Sequence, residues 1–175
     1  MHELTPAERL SLLREAGHVE RAHTLPHHGS YSVGKHSFDM ALLLLVLHPN
    51  PRPELLKAVL THDLGERFTG DMPHPAKRLD GEIGKRLDRL ERLTLERLEA
   101  DYVSLLTADE RLWLVSLDRV EFILWCKDQI ALGNANAAAP YGAAIAELTM
   151  SEMPPELEEF VQTHVWTRHP DTFPG

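Results

Sequence analysis

Little in these 175 residues points toward disulfides, membranes or polynucleotides. A single cysteine, Cys126, excludes an intrachain disulfide framework and any zinc site built from thiolates. A cationic excess is missing too: Lys plus Arg number 18 against 27 Asp plus Glu, a formal net charge of −9. Gripping duplex DNA or RNA needs a basic face to neutralise phosphates, so no stable nucleic-acid complex is expected. A local cationic pocket for a small phosphorylated molecule remains compatible with that total, because binding follows the local field. Apolar runs are short, and Ala41–Leu47 falls far below the roughly 20 residues of a membrane-spanning helix. The opening Met1-His2-Glu3-Leu4 has no basic region followed by an apolar stretch, so no signal peptide is read there, and a reducing, cytoplasmic setting is expected. Internal repeats, low-complexity segments and strand-length alternation of apolar and polar residues are all lacking.

What is present is helical periodicity. Thr5-Pro6-Ala7-Glu8 reads as a helix start, with Thr5 as N-cap, Pro6 in the first helical position and Glu8 closing a capping box. Leu10, Leu13 and Ala16 supply the apolar stripe and Gly17 ends it. Further helices are predicted over about 36–47, 54–63, 82–106, 109–132, 137–148 and 155–165. Leu60 and Leu90 are among the residues predicted to face inward. The stretches 18–35 and 64–76, rich in Pro, Gly and Ser, read as loops. The expected fold is all-α: a single compact bundle of six or seven helices over residues 1–166, followed by an irregular tail, 167–175.

Eleven histidines invite a search for a site, since imidazole is the commonest metal ligand and proton carrier near neutrality. His62-Asp63 closes a helix whose preceding residues Leu55, Leu56, Val59 and Leu60 are apolar. A helix C-terminus alone would explain the pair, because histidine suits the negative end of the dipole and aspartate suits a turn. Asp118 shares a helix face with Leu114, Val115, Phe122 and Trp125. A carboxylate there either pairs with an arginine or ligates a metal. His36 opens its helix with Met40 and Leu43 on the same face, where a core histidine satisfied by a carbonyl is the ordinary explanation. Together, two imidazoles and two carboxylates from three helices suit one divalent cation of the Mn, Fe, Co, Ni or Zn type. Cys126, Trp113 and Trp125 read as packing residues, and His23, His27 and His28 as surface histidines of a loop.

Two segments carry a resemblance. Ser32-Val33-Gly34-Lys35-His36-Ser37 and the run Thr61-His62-Asp63-Leu64-Gly65-Glu66-Arg67-Phe68-Thr69-Gly70-Asp71-Met72-Pro73-His74-Pro75-Ala76-Lys77 resemble the histidine segment and the central motif of the bacterial 5′-deoxynucleotidase group of HD-domain metal-dependent phosphohydrolases. The resemblance spans about residues 20–125, and the short chain is similar in size to a bacteriophage branch that hydrolyses deoxynucleoside triphosphates, dATP among them. It implies an HD-type helical domain acting at the 5′-phosphate end of deoxynucleotides, as a dNMP 5′-nucleotidase or as a dNTP triphosphohydrolase. It implies a divalent cation, Co, Mn, Zn or Mg, held by His36, His62, Asp63 and Asp118. Glu66 then matches the residue that positions or deprotonates the attacking water, one helical turn beyond the doublet if the helix continues. Asp71 matches an acid near the substrate and leaving group, and Arg21 a contact to substrate phosphate. Lys77 closes the motif as a second phosphate ligand, with Lys35 and His74 as further substrate contacts. A homo-oligomer is implied, in the host cytoplasm if the chain is phage-encoded. Lys35 stands where the family often has Glu, and Ala22 where it often has Trp, which leaves base and sugar selectivity open. A non-catalytic HD-fold module that binds a nucleotide or a partner is the alternative.

Overall fold

The computed structural model describes residues 3–166, without the side chains of 74, 75 and 78; the expected tail, 167–175, lies outside them. Among the described residues there is no strand beyond an isolated bridge between Glu20 and Ser32, and the fold is an all-α bundle. Helix α1 (Pro6–Ala16) opens as read: Thr5 Oγ1 accepts the Glu8 N–H at 3.2 Å and the Glu8 carboxylate accepts the Thr5 N–H at 2.8 Å. Helix α2 (Val33–Leu47) begins three residues before the predicted start, because Ser32 caps it by accepting the Lys35 N–H. Helix α3 covers Pro53–Thr61, and the short α4 covers His74–Leu79. Helices α5 (Gly81–Arg97), α6 (Ala108–Ala131), α7 (Ala138–Thr149) and α8 (Pro155–Phe160) follow, the last running into a π turn at Val161–Val165.

The continuous helix predicted over 82–106 is not formed. Helix α5 stops at Arg97, where Glu99 takes a left-handed φ of 53°. The Glu99 N–H then reaches Glu96 O and the Ala100 N–H reaches Leu95 O at 2.9 Å, closing the helix in a Schellman turn. That turn tucks Leu98 and Ala100 into a pocket with Ala16, Val33, Leu64 and Leu95. After a 3-10 turn at Val103–Leu105, α6 starts on a second capping box, Thr107 with Glu110. Leu10, Leu60 and Leu90, predicted inside, are exposed; each lies on a helix flank outside the two main hydrophobic clusters.

Helix α6 is the central strut. Its Trp113, Leu114, Leu117, Val120 and Ile123 meet Met40 and Leu44 of α2, Leu55 and Val59 of α3, and Leu148 and Leu157 beyond. Each such fully buried side chain contributes about 1.5–3 kcal/mol relative to exposure. A smaller cluster, Tyr31, Trp125 and Cys126, packs the loop before α2 onto the same helix, in agreement with the packing roles read for Trp125 and Cys126. The loop is further clamped by Gln129, whose side chain accepts the His28 N–H at 2.8 Å and donates to His28 O at 3.0 Å. His27 is not the surface residue expected: it is half-buried, edge-on to Trp125 at 5.5 Å. No helix among the described residues is long and apolar enough to cross a membrane.

The segment after α3 is where the fold becomes specific. Instead of a continuing helix, Leu64–Arg67 forms a 3-10 turn, with the Glu66 N–H on Asp63 O at 3.0 Å. Gly65 lies against α5 so closely that a Cβ there would stand 2.6 Å from the Glu91 carbonyl oxygen. Only glycine permits that backbone approach.

Candidate metal centre

Three helices converge on one point. His36 comes from the first turn of α2, His62 and Asp63 from the C-terminal end of α3, and Asp118 from the middle of α6. One ligand atom from each of these four residues lies within 4.8 Å of every other. His36 Nε2 is 3.1 Å from Asp118 Oδ1 and 3.7 Å from Asp63 Oδ2, and His62 Nε2 is 3.3 Å from Asp63 Oδ2. His36 is fully buried, whereas the Asp118 side chain is 43% exposed, so the centre is walled on one side and reachable on the other.

Both imidazoles are set for ligation through Nε2. His62 Nδ1 faces the Val59 carbonyl at 3.0 Å, and His36 Nδ1 faces Glu121 Oε2, so each Nδ1 carries the proton as donor. Each Nε2 is buried and makes no well-formed hydrogen bond, with only the carboxylates of Asp63 and Asp118 facing it. A buried, orphaned lone pair is costly unless something occupies its other side. Two such nitrogens aimed at two carboxylates fit a divalent cation with mixed N/O donors. The electrostatics agree. Burial disfavours the charged form of His36, yet Asp118 and Glu121 carry its pKa up to about 9. Burial would likewise raise Asp63, but His62, Arg21 and His36 hold it well below the ordinary carboxylate range. The centre favours positive charge.

The remaining predicted residues divide. Arg21 is gathered in: one guanidinium nitrogen pairs with Asp63 and the other lies 3.4 Å from Asp118 Oδ1. Glu66 is 4% exposed, with Oε2 buried and unpartnered. Burial first, then the charges of Asp63 and Asp71, push its pKa up to about 9. Asp71 is engaged with the backbone: its Oδ2 accepts the N–H of Ala22 at 2.8 Å. Ala22 has a φ of 51°, uncommon for a residue with a Cβ, so Asp71 stabilises the bend that follows Arg21. Lys35 is not brought to the centre; its ammonium pairs with Asp39, one helical turn along α2. It lines a cavity of about 620 Å³ together with Leu42, Val46, Leu124, Trp125 and Phe160, to which none of the four ligands contributes. Lys77 stands 3.9 Å from Asp88 Oδ1 on α5. The side chain of His74 lies outside the described ones.

Two residues of this centre escaped the sequence. Glu121 is 3% exposed, holds His36, and receives the Tyr31 hydroxyl at 2.5 Å. The signal that singles out Asp118, a carboxylate on an apolar face, also applies to Glu121 three residues on. Tyr31 sits in a loop and carries no comparable signal.

An all-α bundle that brings a histidine, a His-Asp doublet and a distant aspartate to one point defines the HD-domain class of fold. The chain belongs to the 5′-deoxynucleotidase YfbR-like family, whose model matches residues 10–167. Among solved structures it is similar to the cyanophage S-2L HD phosphohydrolase DatZ bound to dA and one catalytic Zn²⁺ ion, at 20% identity and a TM-score of 0.72, covering 93% of this chain and 95% of that one. It is also similar to the PH0347 protein of Pyrococcus horikoshii OT3, at 22% identity and a TM-score of 0.69, over 90% of this chain and 96% of that one. A conserved hypothetical protein of Pyrococcus furiosus matches at 22% identity and a TM-score of 0.67, over 90% and 97%. Comparison with curated proteins gives no match.

Proposed function

We propose that this protein is a divalent-metal-dependent 5′-deoxynucleotidase, hydrolysing the phosphate ester of deoxynucleoside monophosphates, with His36, His62, Asp63 and Asp118 as the metal ligands. The observation that carries the reading is the pair of buried, unpartnered Nε2 atoms facing two carboxylates within 4.8 Å. When bound there, a divalent cation supplies Lewis acidity, activating water as nucleophile at neutral pH and polarising a phosphoryl oxygen. Zn²⁺ is the ion named in the cyanophage structure, and the two-nitrogen, two-oxygen donor set suits Zn, Mn or Co.

The chain's own residues supply the rest. Arg21 presents a guanidinium beside the centre, where it neutralises charge on the phosphoryl oxygens. Asp71 accepts the Ala22 amide and so keeps Arg21 at that place. Glu66 positions the attacking water through its free Oε2, and a pKa raised to about 9 makes it a base only once a bound cation and substrate have altered the local charge. The monophosphate reading is favoured because Arg21 stands at the centre, while Lys35 is paired with Asp39 along α2. The family name points the same way. The triphosphohydrolase reading draws on the dA bound to the cyanophage relative, since a deoxynucleoside is the product of either reaction. A homo-oligomer in the cytoplasm belongs to the same proposal.

Product analysis tests it. Metal-stripped protein is incubated with dAMP, dATP and their ribose counterparts, with and without Zn²⁺, Co²⁺, Mn²⁺ or Mg²⁺. Orthophosphate from dAMP is the expected result. Triphosphate with deoxyadenosine from dATP would replace it with the second reading. No product with any metal across a full nucleotide panel would leave the chain as a binding module.

A further inference from the structure

The carboxylate behind His36 is itself held. Glu121 Oε2 accepts both from His36 Nδ1 and from the Tyr31 hydroxyl, the latter at 2.5 Å. Tyr31 and His36 are fully buried and Glu121 nearly so, which removes solvent from all three groups. Tyr31 also reaches the other side of the centre. Its carbonyl accepts the Arg21 N–H at 2.7 Å, and the Arg21 guanidinium carbon stands 5.6 Å over its ring. Trp125 stacks on that ring with centroids 4.3 Å apart and planes 14° from parallel, so the phenol cannot swing away without unpacking the loop.

We propose that Tyr31 and Glu121 are positioning residues of the metal centre. The Tyr31 hydroxyl fixes the Glu121 carboxylate, and Glu121 fixes the His36 ring with Nε2 toward Asp63, Asp118 and His62, while the ring and carbonyl of Tyr31 hold Arg21 over the same point. A hydrogen bond from the distal ring nitrogen to a carboxylate sets the tautomer, orients the ring and raises its basicity as a ligand. One loop side chain thereby couples the metal side of the site to the phosphate side. The inference rests on the metal reading above and extends it to residues outside the four ligands.

The two functions of Tyr31 separate by substitution. Tyr31→Phe removes only the hydroxyl, leaving the Trp125 stack, the Arg21 contact and the backbone bond. Zn²⁺ affinity of the full chain, measured by competition with a chromophoric chelator, should fall about 10-fold in Tyr31→Phe and about 10–100-fold in Glu121→Gln, the range for loss of such a support. Because Tyr31 acts through Glu121, the double variant should lose less than the product of the two single losses. The visible spectrum of the Co²⁺-loaded protein should shift in Glu121→Gln, a change that general loosening of the core does not produce. With dAMP, Tyr31→Phe should lower kcat and leave KM within about twofold, since Arg21 stays in place. Variants that bind Zn²⁺ and Co²⁺ as the wild type does, or single losses that multiply in the double variant, would overturn the proposal alone. A wild-type chain that binds neither ion would overturn the metal reading and this proposal together. Should Glu121→Gln fail to fold, the chelator and kcat measurements on Tyr31→Phe decide.

Discussion

Replacing Gly65 with alanine tests whether the turn that carries Glu66 is held by direct backbone contact. An alanine Cβ would stand 2.6 Å from the Glu91 carbonyl oxygen and 2.8 Å from both Glu91 Cα and Cβ. Ordinary contact begins near 3.4 Å, so the 3-10 turn and α5 must part by about 0.8 Å. The obstructing atoms are mostly main chain, so no rotamer change relieves them. Overpacking of this kind costs roughly 1–3 kcal/mol, and rigid main-chain neighbours put it in the upper half of that range. For a chain of this length each kcal/mol lowers Tm by roughly 2–4 °C, which gives a drop of roughly 4–12 °C by thermal denaturation. Glu66 is the next residue, and a displacement approaching 1 Å at a reacting group costs on the order of 10²-fold in rate. Gly142→Ala provides the control: it lies within α7 with nothing inside 4 Å of the added carbon, and should stabilise by about 0.5–1 kcal/mol. A Tm for Gly65→Ala within about 1 °C of wild type, with kcat unchanged, would refute the close approach as the device that places Glu66.

Other outcomes follow from the same geometry. His62→Ala and Asp63→Ala should abolish both metal binding and turnover, read as zinc per chain and as phosphate released. Glu66→Ala should keep the metal and lose about 10²–10⁴-fold in kcat; normal turnover would remove it from the mechanism. Arg52 holds Glu110 with two hydrogen bonds of 2.6 and 2.7 Å, and these, with lesser help from the Thr107 backbone N–H and hydroxyl, lower the Glu110 pKa from 4.5 to about 2. A depressed carboxylate pKa contributes stability that is present above the unfolded value and lost as pH falls through the folded one. Urea denaturation of Arg52→Ala should therefore show a deficit at pH 6 that narrows between pH 4.5 and 2, and a deficit constant with pH would contradict the pairing. Cys126 is fully buried, and burial followed by the charge of Glu121 pushes its thiol up to about 12. A colourimetric thiol reagent at pH 8 should find it unreactive until denaturant is added.

What the sequence by itself determined is local. Thr5 with Glu8 is a capping pair three residues apart, and the 3.6-residue period marks the core faces of α2, α3 and α6. Those signals depend on neighbours within about one turn, and for that reason they survive without a fold. The cluster of His36, His62, Asp63 and Asp118 was legible for a related reason: polar groups on faces otherwise destined for the core, in an order that resembles a known family. Local signals failed where long-range contact sets the outcome. Helix α5 ends at Arg97 because Leu98 and Ala100 find a pocket made by α1, α2 and the turn after α3. Lys35 and His36 are adjacent in sequence, yet helical geometry sends one to Asp39 and the other to the centre. Tyr31 lies 90 residues from Glu121, and Asp71 lies 49 from Ala22; only the packing of the 20–31 loop onto α6 and onto the segment after α3 brings them into hydrogen-bond range. The residues of the cluster are written along the chain, but the contacts around them exist only once distant segments have closed on one another.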